Sequence, residues 1–124
     1  MPYVTVRYGH SVVLFRDDHD KARAFGKQLQ ETVARNLDCP EGGGDLAPTD
    51  VDVSFATAGM HDLQAKDVVV TIMANHFETR AENADERLQA IAQEVRDWLK
   101  LPTGMTIGFW LLMPESVWLD FTEP

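Results

Sequence analysis

The sequence predicts an α+β fold in which two βαβ units stand in tandem around one mixed sheet. Three observations carry that expectation. Each half opens on a β-rich run, Tyr3-Val4-Thr5-Val6-Arg7-Tyr8 in the first and Val68-Val69-Val70-Thr71-Ile72-Met73 in the second. Each continues through an amphipathic helical stretch that stops before a proline, Pro40 or Pro102, because the residue preceding proline is pushed out of the helical region. Each closes on a further β-rich run. Aligning Pro40 with Pro102 also aligns Leu29 with Ile91, Val33 with Val95 and Leu37 with Leu99, so both halves share one helical register.

Taken in order, the first strand runs from Pro2 to about Tyr8, alternating apolar and polar residues. A short apolar stretch, Val12-Val13-Leu14-Phe15, follows it. Arg16-Asp17-Asp18-His19-Asp20 then places cap-type and acidic residues where a helix begins, favourable against the positive end of its dipole. His19 reads as part of that cap. Ala22, Phe25, Leu29, Val33 and Leu37 mark the apolar face of this helix. Residues 41–48 are a flexible loop. In the second strand Val51, Val53 and Phe55 share one face, and Asp52, Ser54 and Ala56 the other. Residues 68–73 show no alternation, which predicts a strand buried on both faces. After Arg80, an acidic segment at 82–86 leads into a helix with Leu88, Ile91, Ala92, Val95, Trp98 and Leu99 on one face. The last strand region, 105–112, alternates until Leu111-Leu112 breaks the rhythm, and Pro114 closes it. A short apolar tail, Val117-Trp118-Leu119-Asp120-Phe121, follows.

A chain of 124 residues with 44% apolar content builds one core, and its length gives no reason for a second domain. The expectation is a single domain over residues 1–124 with halves of about 1–60 and 61–124. The lone Cys39 excludes an intramolecular disulfide framework and suits a reducing cytoplasm. No apolar run has membrane-spanning length, and no signal-peptide pattern opens the chain. Twenty acidic against 11 basic residues give a net charge of −9, which argues against nucleic acid or an anionic membrane as partner.

Pro2 stands directly behind the initiator and in front of the first strand. A small second residue lets the initiating methionine be trimmed, which leaves a secondary amine at the chain start. An α-amino group has a pKa of about 8, and burial or nearby cations lower it further. Such a nitrogen can serve as a general base or nucleophile near neutral pH. The competing reading is that Pro2 opens an edge strand, where a missing N–H is harmless. If Met1 is retained, Pro2 carries an amide nitrogen without basicity.

Pro2 opening a strand, with Arg16 at the head of the following helix, resembles the tautomerase superfamily. The stretch Arg16-Asp17-Asp18-His19-Asp20-Lys21 is similar to that family's Gly-Arg-x-x-x-x-Lys helix start. Val33-Ala34-Arg35-Asn36-Leu37-Asp38-Cys39-Pro40 resembles the helix end and turn of its 4-oxalocrotonate tautomerase branch. Near the C-terminus, Gly108-Phe109-Trp110-Leu111-Leu112-Met113-Pro114 resembles the strand and Met-Pro turn of the cis-3-chloroacrylic acid dehalogenase branch. The resemblance covers nearly the whole chain in architecture and only these stretches in sequence. It implies a fused, two-unit member, a homotrimer, and an amino-terminal proline acting as catalytic base.

Residue by residue, Pro2 matches the catalytic proline, and Arg80 matches the arginine that fused members use to hold a substrate carboxylate. A guanidinium suits that task because its fork makes bidentate contacts and stays charged. His76 stands where the dehalogenase branch has a further arginine, and Arg16 matches the equivalent arginine of the first unit. The competing reading for both arginines is a solvated residue near a helix start, balancing adjacent acids. Phe109, Trp110 and Phe121 would wall an apolar pocket, or else serve as core or trimer-interface residues. Three departures bear on the chemistry. Asp52 replaces an arginine of the tautomerase branch, Leu112 replaces the water-activating glutamate of the dehalogenase branch, and Phe109 replaces a tyrosine.

Other constellations carry less. His10, His19, His61 and His76 lack paired metal-ligand spacing. Gly42-Gly43-Gly44 is not followed by Gly-Lys-Ser/Thr and reads as a hinge. The expected function is keto–enol proton transfer on a small anionic carbonyl substrate such as a 2-oxo acid, with no metal and no organic cofactor. Two alternatives stand beside it: a ferredoxin-like dimeric enzyme sharing the order βαββαβ, and a noncatalytic binding module that keeps the fold.

Overall fold

The structure is a computed structural model that describes residues 2–9, 19–38, 46–57, 66–75, 78–100 and 103–113. The expectations placed on residues 12–15, Arg16, His10, Cys39, Gly42 to Gly44, His61, His76 and the tail from Pro114 fall outside the described residues.

Strand β1 is Tyr3–Tyr8, helix α1 is His19–Leu37, and a single 3-10 turn, Pro48–Asp50, precedes strand β2, Asp52–Thr57. Strand β3 is Val68–Met73, and a short helix α2, Glu78–Glu82, precedes the longer α3, Ala84–Leu99. Strand β4, Ile107–Leu112, completes the second unit. The tandem βαβ expectation is met. β1 pairs parallel with β2, β3 pairs parallel with β4, and the two units join through the antiparallel β1–β3 ladder. The sheet order β2-β1-β3-β4 puts each unit's own strands side by side. This overturns the ferredoxin-like alternative, whose split βαβ arrangement requires another strand between the two.

Alternation decides what each strand buries, because successive side chains point to opposite faces. Val4, Val6, Val68, Val70 and Ile72 are buried beneath the helices. Phe25, Leu29, Val33 and Leu37 of α1 and Ile91, Val95 and Leu99 of α3 close the core from above. The three helical pairs that aligned in the sequence are thus all core residues. Trp98 is partly exposed, yet its ring stacks on Phe25 with centroids 5.7 Å apart.

Three expectations need correction. β1 is an interior strand, so Pro2 does not open an edge. β3 is not buried on both faces: Val69 and Thr71 are half-buried and Met73 is exposed, because both long helices lie on one side of the sheet. The rhythm of β4 does not break at Leu111-Leu112. Leu111 pairs with the buried Ile72 while Leu112 pairs with Met73 on the opposite face. Two adjacent leucines misread as a break because one is an exposed apolar residue.

Among the described residues, no helix packs on that opposite face. Its rows run Asp52, Tyr3, Met73, Leu112, then Ser54, Thr5, Thr71, Trp110, then Ala56, Arg7, Val69, Gly108. Tyr3, Met73, Trp110 and Leu112 expose 42%, 43%, 62% and 43% of their surface, an apolar patch spanning three strands. Among the described residues no helix is long and apolar enough to cross a membrane.

Candidate active site at the Pro2 end of the sheet

Strand polarity gathers several termini at one end of the molecule. β1 and β2 begin there, and β3 and β4, running antiparallel to β1, end there. Pro2 is buried at this end, and its carbonyl accepts the Asp52 N–H at 3.1 Å. On the other side, Ala74 N–H donates to the Leu112 carbonyl at 3.0 Å, extending the β3–β4 ladder past its last paired residues. Helix α1 delivers its C-terminus to the same end, where the Gln30 side chain donates from Nε2 to the Val51 carbonyl at 2.9 Å.

Arg80 sits in α2 and is 1% exposed, so the solvated reading does not hold for it. Its Nε donates to the Leu37 carbonyl at 2.9 Å and its Nη1 to the Asn75 carbonyl at 2.7 Å. Leu37 is the last residue of α1, and helix ends leave carbonyls without intrahelical partners. A cation is also favoured at the negative end of the helix dipole. The buried charge therefore has a physical reason to be there. The same fork fastens the end of β3, through Asn75, to the end of α1.

Arg87 does similar work from α3 and was not singled out in the sequence. Its Nη1 donates to the carbonyls of Asn36 and Asp38 at 2.9 and 3.1 Å, and its Nε to Asn83 Oδ1 at 2.6 Å. A signal was present: an arginine close to the start of a helix stands against the dipole unless it has a partner elsewhere. Two arginines of the second unit thus cap the helix of the first. The exposed Arg35–Glu94 pair at 2.7 Å and the Asn36 Nδ2–Glu94 bond at 3.0 Å add weaker ties between α1 and α3.

The other sequence-singled residues distribute unevenly. Asp52 and Leu112, two of the three replaced positions, lie in one row of the open face with Tyr3 and Met73, at the Pro2 end. That row presents a carboxylate and apolar groups. Phe109 and Trp110 face opposite sides: Phe109 pairs with the buried Val70 beneath the helices, and Trp110 pairs with Thr71 on the open face. Within one protomer they cannot share a pocket wall. Arg16 and His76 lie outside the described residues. Among the described residues, no cluster of three or more His, Cys, Asp or Glu side chains could hold a metal ion.

No family model matches the sequence, and no curated protein matches it significantly. Solved structures do match its fold. A crystal structure of 5-carboxymethyl-2-hydroxymuconate delta-isomerase is 14% identical, with a TM-score of 0.61 over 99% of this chain and 87% of that one. Pt0534, solved after inactivation by 2-oxo-3-pentynoate, is 16% identical with a TM-score of 0.59, over 91% of this chain and 85% of that one. A fused 4-OT, solved as an asymmetric trimer, is 9% identical with a TM-score of 0.59, over 91% of this chain and 86% of that one. These neighbours are members of the tautomerase superfamily, and the fold of this chain, two fused βαβ units on one mixed sheet, is theirs.

Proposed function

We propose that the protein is a tautomerase-type enzyme that moves a proton between keto and enol forms of a small 2-oxo acid. The observation that carries this reading is Pro2, buried at the head of an interior strand, at the sheet end where the charge of Arg80 is fixed. With Met1 removed, the Pro2 nitrogen takes a proton from the carbon or oxygen of the substrate and returns it to another atom. Arg80 supplies fixed positive charge for the substrate carboxylate, and His76 and Arg16 are further candidates for that carboxylate. The apolar part of the substrate lies against Trp110 on the open side of β4, while Phe109, the other candidate wall, faces the helix side.

The same reading makes the protein a homotrimer. The exposed row of Tyr3, Met73 and Leu112, with Trp110 beside it, is an apolar patch that supports association. Its occupants are two further copies of the chain, as supported by the trimeric fused 4-OT neighbour.

A second reading, ligand binding without turnover, is favoured by one observation. Asp52 and Leu112 occupy the row where the resembling branches carry an arginine and a glutamate.

The test is intact mass before and after treatment with 2-oxo-3-pentynoate, followed by peptide mapping. A chain lacking Met1 that is labelled at Pro2, and whose turnover of 2-oxo acid enols is abolished by Pro2→Ala, supports the enzyme. A retained Met1, or turnover unchanged by Pro2→Ala, overturns the mechanism. Binding of a 2-oxo acid with no turnover selects the second reading.

A further inference from the structure

A groove runs between the C-terminal half of α3 and β4, which is an edge strand of the described sheet. It consists of two adjoining hollows of 340 and 410 Å³ that share Arg96, Met105 and Ile107. Each has the size of a small-ligand pocket. The floor is apolar, formed by Met105, Ile107 and Phe109, all half-buried because α3 does not fully cover the helix-facing side of β4. The rim is cationic, with Arg96 and Lys100 on one side and Lys66 at the other lip. Only 11 residues of this acidic chain are basic, so three at one groove is a marked concentration. Asp97 is the acidic group among the described lining residues, and its Oδ1 already accepts Gln93 Nε2 at 2.8 Å.

Arg96 lies in the last turn of α3 and Lys100 caps its end, and both line the first hollow. Like charges gathered at one hollow repel. The helix dipole offsets part of this repulsion, and an anion placed between the two cations would offset more of it. The groove also lies far from Pro2. β4 begins opposite Val68, which pairs with Tyr8 at the other end of β1, roughly 17 Å along the strand.

We propose that this groove is a second ligand site, separate from the Pro2 end, which takes a small amphipathic carboxylate. The apolar chain or ring lies on Met105, Ile107 and Phe109, and the carboxylate sits between Arg96 and Lys100. Charge complementarity selects the occupant: a cation of the same shape is repelled by the rim, and a neutral one leaves the two cations uncompensated.

The experiment titrates the full chain with octanoate and, separately, with octyltrimethylammonium, following backbone amide shifts by NMR. Octanoate is expected to shift the amides of Arg96 to Lys100 and of Thr103 to Ile107, while the cation leaves them in place. The double variant Arg96→Glu with Lys100→Glu should bind octanoate about tenfold more weakly or worse, the scale of losing a charge-assisted contact. The milder Arg96→Gln with Lys100→Gln pair guards against a loss of fold, with thermal melting as the check. The proposal is overturned if shifts cluster instead at Tyr3, Asp52 and Ala74, at the Pro2 end, or if the cation binds equally. It is also overturned if a folded variant retains octanoate affinity, or if the substitutions alter subunit assembly and leave octanoate affinity unchanged.

Discussion

The Arg80 guanidinium donates from Nε to the Leu37 carbonyl at 2.9 Å, joining residues 43 positions apart in the chain. The bond connects the last residue of α1 to the short helix α2, and through Nη1 and Asn75 it also holds the end of β3. Arg80 is thereby a keystone between the two βαβ units, whatever it does for a ligand. Replacing it by alanine strands two carbonyls in a buried setting and should destabilise the fold by roughly 3 kcal/mol. Urea unfolding checks this, and a loss well below 1 kcal/mol would mean the two bonds carry little. Any activity change in Arg80→Ala must therefore be read per folded molecule. Arg80→Lys, which keeps the charge and loses the fork, separates the electrostatic role from the structural one.

Gly26 lies inside α1, where glycine weakens a helix by its freedom in the unfolded chain. A Cβ added there meets Phe55 Cε2 at 3.6 Å and Val53 Cγ1 at 4.0 Å, ordinary contact distances. Gly26→Ala is expected to stabilise the protein by about 0.5–1 kcal/mol. A drop in the unfolding midpoint would show that α1 packs more tightly on β2 than these distances allow.

Lys100 ends α3 in the left-handed region, with φ 51° and its N–H donating to the Arg96 carbonyl. A side chain there strains against its own backbone, and glycine does not. Lys100→Gly should raise stability by about 1 kcal/mol in the absence of any added carboxylate. Thermal melts of the two proteins at matched concentration decide it.

Trp110 is 62% exposed on the open face beside Met73 and Leu112. If two further copies cover this face, Trp110→Glu buries a carboxylate against apolar surface and disrupts assembly. Sedimentation equilibrium should then find three chain masses for the parent and one for the variant, with the far-ultraviolet circular dichroism unchanged. A variant that still sediments as the parent does would exclude this face as the subunit contact.

The repeating hydrophobic pattern of this chain was sufficient to place two βαβ units, both helical cores and the alternation of β1 and β2. Each of those depends on the local period of side chains along one element, and that period is written in consecutive residues. The short helix α2 escaped notice because five residues carry too little periodicity to register. The burial of Arg80, the capping by Arg87 and the open face of β3 depend on which elements become neighbours. So does the meeting of Asp52, Tyr3, Met73 and Leu112 in one row. The sequence holds the charges and the alternation, while their partners lie tens of residues away. Only the antiparallel joining of the two units brings the ends of β3 and β4 to the end of the sheet where β1 starts, around Pro2.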